Sequence, residues 1–320
     1  MNRRKFLGST VAAAVCGAGA ASARGAVAAS AVAVGTAGAV EQGRGASPAV
    51  SRVADRVAGS ALRLGLAAYS FRKELSGPSP TMTLEGFIDY CAERGLEATE
   101  LTEYYFRSKD PQYVRALRRR AYVNGLAISG APVGNNFCLP AGPQRSQQIT
   151  HVKRWIDTVA LLGAQTIRVF AGSVATGSSE DDARKWAVEG LAECAAYAGE
   201  RAVLLALENH GGITASADDL LALVAAVGSP WLGVNLDTGN FHQRVYESLA
   251  KAAPHAISVQ VKVEIRAEGQ PAEPTDYARV VKILRDAAYR GYVALEYESA
   301  EDAAVAVPRH LEQLRAAIDA

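Results

Sequence analysis

Four stretches of this chain end in side chains that could bind a cation or move a proton. The first is VLLALENHGG (203–212), a short apolar run that closes on a carboxylate, an amide and an imidazole. Side chains alternate faces along a β-strand, so Ala206, Glu208 and His210 share one face while Leu205 and Leu207 share the other. LGVNLDTGNF (232–241) sets Asn235 and Asp237 opposite Val234 and Leu236. AISVQVKVEI (256–265) sets Gln260 and Lys262 opposite Val259, Val261 and Val263, and YVALEYE (292–298) sets Glu296 and Glu298 opposite Leu295. Each run carries oxygen donors at its C-terminal end. Inward Glu208, Asp237, Gln260 and Glu296 conflict with a purely apolar interior, and converging carboxylates raise one another's pKa values unless a cation shares the space. The oxygen-rich set favours Mg²⁺ or Mn²⁺, with Zn²⁺ or Co²⁺ as alternatives. The competing reading needs no metal: single carboxylates would cap helices or pair with Arg168 or Lys262.

The elements that must hold these strand ends alternate strand and helix. Strands are expected over 62–71, 97–102, 126–130, 166–170, 203–208, 234–237, 257–263 and 292–297. The helices between and after them are expected over 84–94, 111–124, 146–162, 180–198, 217–227, 246–253, 276–289 and 305–318. Gly95 and Gly125 stand where helix C-caps are wanted, and Ser216 with Asp219 has capping-box spacing. About eight βα units close a barrel, so the expected fold is a single-domain α/β (β/α)8 barrel with its site at the C-terminal strand ends. An open doubly wound sheet is the rival, but no G-x-G-x-x-G turn follows the first strand.

The 320 residues are 49% hydrophobic and 21% charged with a net charge of +1, a globular composition without the basic excess that nucleic acid would want. The N-terminus differs from the rest. Arg3-Arg4-Lys5-Phe6-Leu7, a weakly apolar Ala/Val/Gly run and Ala21-Ser22-Ala23 read as a twin-arginine export signal over 1–23. The protein is accordingly expected in the periplasm or outside the cell, with no membrane association after cleavage. Losing Arg3, Arg4 and Lys5 takes the formal charge from +1 to −2. Residues 24–61, rich in Ala, Gly, Val and Ser, read as a disordered linker, leaving 62–320 for the barrel. Cys91, Cys138 and Cys194 have no C-x-x-C spacing, which suggests neither a zinc site nor a disulfide framework.

Through LALENH, VNLDTGN, VQVK and GYVALEYE, the stretch from Leu62 onward resembles the sugar phosphate isomerase/epimerase family, the xylose isomerase-like TIM barrels. That group includes hydroxypyruvate isomerases, ketose 3-epimerases, inosose dehydratases and, more distantly, endonuclease IV. The resemblance implies that Glu208, Asp237, Gln260 and Glu296 are metal ligands and that Glu208 and Glu296 also act as acid/base groups. Two departures stand out. The family's third ligand is usually His, here Gln260, and its D-x-x-H ends here in Asn240.

Other residues fall at strand ends or in the loops beyond them. His210 could bond a sugar hydroxyl or orient Glu208. Lys262 could stabilise an enolate or neutralise Glu298. Arg168 and Asn240 complete the expected substrate contacts, while Tyr69, Phe71, Glu103, Asn135, Asn136 and Phe137 each compete with a simple packing role. The expected function is a metal-dependent isomerase or epimerase acting on a keto-sugar or related polyol through an enediolate, with Glu208 or Glu296 as base. A lyase or dehydratase acting on an oxidised 3-keto sugar or glycoside is the alternative. A non-catalytic sugar-binding barrel would have lost a carboxylate, and a nuclease would want more His and a basic face. The expected partner is a small sugar, with homo-oligomerisation left open.

Overall fold

The computed structural model describes residues 60–320. The export signal expected over 1–23 and nearly all of the linker expected over 24–61 lie outside the described residues. Eight strands form the sheet: β1 (Ala61–Ala67), β2 (Ala98–Glu100), β3 (Ala127–Gly130), β4 (Thr166–Val169), β5 (Leu204–Glu208), β6 (Leu232–Asp237), β7 (Ala256–Lys262) and β8 (Arg290–Glu296). All pair in parallel, and β1 pairs with both β2 and β8, so the sheet closes on itself as a (β/α)8 barrel. Helices Leu84–Glu93, Pro111–Val123, Pro143–Leu162, Glu180–Gly199, Ala217–Val227, Val245–Ala252, Tyr277–Asp286 and Ala303–Asp319 follow the strands in turn. Among the described residues no helix is long and apolar enough to cross a membrane.

Local chemistry sets these boundaries. Ser216 Oγ accepts the Asp219 N–H at 3.1 Å and starts one helix, while Gly228 ends it in the left-handed region at φ +59°, which glycine enters without a Cβ clash. The third of these helices begins three residues before the expected Ser146. Pro143 occupies its first turn, where a missing N–H costs nothing. A second difference follows β7, where Glu264–Ile265 and Glu273–Pro274 pair as a short antiparallel ribbon that no alternation in the sequence marked. The helices bury their apolar stripes against the outer face of the barrel, with Phe87, Trp155, Leu191 and Leu220 almost wholly excluded from water.

The register decides what faces inward. Gly65 is level with both Ala98 and Ala294, Ala206 with Arg168, Asp237 with Gln260, and Glu296 with Lys262. Alternation from those partners puts Glu100, Arg168, Glu208, Asp237, Gln260, Lys262 and Glu296 on one interior face. Small residues beneath them leave the barrel axis open to these long polar side chains.

Candidate active site

The four side chains expected as ligands come from four consecutive strands, β5 to β8, and the structure brings them together. Glu208 is 3% exposed, Asp237 0%, Gln260 1% and Glu296 5%. A hydrogen-bonded chain links Glu208, Gln260 and Glu296. Asn235 Nδ2 donates to Gln260 Oε1 at 2.6 Å and lies 3.4 Å from Glu208 Oε2, and Gln260 Nε2 reaches Glu296 Oε1 at 3.5 Å.

Each carboxylate has its own electrostatic setting. Arg168 Nε sits 2.7 Å from Glu208 Oε2, and His210 Nδ1 and Asn240 Nδ2 lie 2.8 and 3.0 Å from Oε1. Burial alone would raise the Glu208 pKa, but the Arg168 guanidinium and then His210 outweigh it and hold the carboxyl below its usual value. Asp237 is pushed well above its usual value, first by burial and then, against the pull of Lys262, by Glu296 and Glu208. Its Oδ1 accepts the Gly239 N–H at 2.8 Å, whereas Oδ2 is a buried oxygen without a hydrogen-bond partner. Lys262 Nζ lies 2.5 Å from Glu296 Oε2 and 3.4 Å from Asp237 Oδ2, and also pairs with Glu298. Burial would lower the Lys262 pKa, but Asp237, Glu296 and Glu298 together raise it well above the ordinary value.

Three residues of the site escaped sequence reasoning: Glu100, Asn209 and Phe170. Glu100, at the end of β2, is 3% exposed and accepts from Gln260 Nε2 at 2.7 Å. Burial, then the neighbouring Glu296, push its carboxyl up to about 8. A signal was present: A-T-E at 98–100 repeats the A-L-E of 206–208 and 294–296, with alanine one step below an inward acid in each case. Asn209 is the second. Its Oδ1 accepts the Asp237 N–H and its Nδ2 donates to the Asp237 carbonyl, both at 2.9 Å, so the end of β5 grips the end of β6.

The remaining expected residues divide into two groups. Arg168, His210, Asn240 and Lys262 line the site. Phe170 stacks beside them, its ring centroid 4.4 Å from that of His210 and 4.0 Å from Arg168 Cζ. Tyr69 also faces inward, its ring 5.9 Å from Lys262 Nζ. The others do structural work. Glu103 accepts the Gly134 N–H at 2.6 Å, and Asn135 makes paired hydrogen bonds with the Phe170 backbone. Asn136 ties its own loop to Ser173, while Phe71 and Phe137 are core.

The donor set suits a hard divalent ion in kind. The acidic side chains Glu100, Glu208, Asp237, Glu296 and Glu298 outnumber the cations Arg168 and Lys262, and the buried Asp237 Oδ2, which has no hydrogen-bond partner, faces the Lys262 ammonium at 3.4 Å. It is not closed around one point. Among the described residues no group of three or more His, Cys, Asp or Glu is arranged to hold a metal, because Gln260 and Lys262 stand between the acids. An open cavity of about 130 Å³ adjoins the site, with Asn240, Lys262, Glu264, Arg266 and Glu298 among its walls.

No curated protein sequence matches the chain. Solved structures match its fold. A D-psicose 3-epimerase crystallised with D-fructose is 18% identical with a TM-score of 0.66, covering 80% of this chain and 97% of its own. The 3-keto-D-glucoside 4-epimerase YcjR from E. coli is 16% identical with a TM-score of 0.64, covering 80% of this chain and 99% of its own. The IolI protein, crystallised with a zinc atom, is 16% identical with a TM-score of 0.64, covering 80% and 96%. A family model described as a xylose isomerase-like TIM barrel matches residues 88–316, and with most of its length so matched the chain belongs to that family.

Proposed function

We propose that this protein is a sugar isomerase or epimerase that moves a proton at the carbon beside a carbonyl group, with a divalent metal as cofactor. The observation that carries the reading is the pair of buried acids, Glu208 on β5 and Glu296 on β8, at opposite ends of a run of inward polar side chains. Sugar epimerases among the structures of like fold support it. A divalent ion held by Glu208, Asp237, Gln260 and Glu296 would supply Lewis-acid polarisation of the substrate carbonyl.

The chain's own groups account for the rest. Arg168, His210 and Asn240 fix the Glu208 carboxylate through both oxygens, so it meets substrate in one orientation and in its charged form. Glu296 approaches from the other end of the run, within reach of the Gln260 amide. One carboxylate takes the proton α to the carbonyl, the C–H electron pair becomes the C=C of an enediolate, and the former carbonyl oxygen gains negative charge. The second carboxyl group, which takes up a proton from solvent before turnover, returns it to the opposite face or the neighbouring carbon, so one acid ends with the proton that the other has lost. Phe170 and Tyr69 offer aromatic walls against which a sugar ring packs.

Glu296→Gln and Glu208→Gln test this with a panel of keto-hexoses and 3-keto-glycosides in heavy water with Mg²⁺ or Mn²⁺ supplied. Each variant should lose roughly two to four orders of magnitude in turnover, the usual contribution of a general acid/base. One of them should still exchange the α-proton with solvent without completing the reaction. Equal loss of exchange and turnover in both, with the fold intact, would leave a one-base elimination as the better account.

A further inference from the structure

Lys262 is the cation that reaches three of the acids at the site. Its ammonium stands among three carboxylates, of which Asp237 and Glu296 belong to the proposed metal ligands while Glu298 does not. The side chain is held there by design of the backbone. Its stem lies against Gly239, where an added Cβ would stand 2.6 Å from Lys262 Cγ, and its own N–H bonds Thr238 Oγ1 at 3.0 Å. A divalent ion bonded to Glu296 Oε2 at about 2.1 Å would sit within about 4.6 Å of an ammonium that is 2.5 Å from the same oxygen. Two cations that close in a buried site repel strongly. Glu298, more exposed than the other two carboxylates, lines the adjoining cavity together with Lys262, so a lysine leaving Asp237 and Glu296 has both a partner and a space to enter.

We propose that Lys262 is an exchangeable internal cation: it neutralises Asp237 and Glu296 in the metal-free protein and withdraws toward Glu298 when a divalent ion binds. Lys262 thereby sets how weakly the metal is held, and Glu298 acts as a positioning residue through Lys262. The inference rests on the metal-dependent reading above. It also gives the metal-free barrel a built-in partner for charges it could not otherwise bury.

Mn²⁺ binding, read by electron paramagnetic resonance of the free ion, tests it without any activity measurement. Lys262→Met should bind Mn²⁺ at least tenfold more tightly than wild type. Glu298→Gln should bind it several-fold more weakly, because Lys262 then has nowhere to withdraw. In the double variant the Glu298→Gln effect should vanish, since its carrier is gone. Unchanged or weaker binding by Lys262→Met overturns the exchange while the metal reading stands. An equal Glu298→Gln effect in both backgrounds overturns it too, because Glu298 would then act on the ion directly. Should Lys262→Met fail to fold, Glu298→Gln decides alone, with unchanged or tighter binding counting against the proposal. Absence of Mn²⁺ binding in every form removes the metal reading and the exchange together.

Discussion

The two halves of the barrel are built alike and equipped differently. Strands β5 to β8 run five to seven residues, and each brings an expected ligand to the site. Strands β2 and β3 have only three and four residues, and β3 meets β4 at the single registered pair Gly130 and Thr166. The first half nevertheless supplies what the second lacks. Arg168 provides the buried cation for Glu208, Glu100 accepts from Gln260, and Tyr69 and Phe170 provide the aromatic walls. One half carries reactive acids; the other sets their charge and shape.

The largest test of that division is Arg168→Met. It leaves Glu208 buried without its guanidinium, and removal of one member of a buried pair typically costs about 3–5 kcal/mol. Urea unfolding of metal-free protein should show a loss of that size, and unchanged stability would mean that the first half does not neutralise the second. Glu100→Gln should act in the opposite sense. A folded-state value of about 8 lies above the ordinary value of 4.5, so the folded protein holds a proton that the unfolded chain releases. The associated stability is complete below about 4.5 and disappears as pH rises through 8. In chelator-treated protein Glu100→Gln should therefore match wild type near pH 5 and exceed it by about 1–3 kcal/mol near pH 9. Parallel unfolding curves at both pH values would deny Glu100 a proton in the folded state. The smallest effect belongs to Phe170→Leu, which keeps the apolar bulk but removes the ring from Arg168. A loss of about 1 kcal/mol is expected in the same unfolding assay.

Much of this arrangement is legible in the residues, and the exceptions have physical causes. Alternation along ALE, NLD, VQVK and ALE gives the interior face directly, because period-two patterns leave no freedom about which side chains point together. Helix ends are equally readable where Thr83, Ser216, Gly95 or Gly228 supply caps. Glu100 was hidden because β2 is too short to establish an alternation, and Glu103, three residues on, offered a second acid at the expected strand end. Glu103 is instead spent on the Gly134 N–H and on His151 of the helix Pro143–Leu162, contacts between distant segments that no local pattern announces. The ribbon after β7 was invisible for a related reason: two-residue strands have no period at all. Partner choice posed a third difficulty. The sequence offered Arg168 and Lys262 as possible counter-charges, but only the register of β4 against β5 and of β7 against β8 assigns Arg168 to Glu208 and Lys262 to Glu296.

The grip of Asn209 on Asp237 bears on how the site would behave in motion. Its amide replaces the next rung of the ladder between β5 and β6, bonding the Asp237 backbone on both its donor and its acceptor side. Glu208, level with Asn235, and Asp237, two residues beyond it, are thereby carried on two strands tied together just past the end of β5. Side chains around them can repack as a ligand enters without altering the separation of their Cα atoms. The free energy of ordering these two acids is then met once, when the chain folds, and is not charged again at each encounter with substrate.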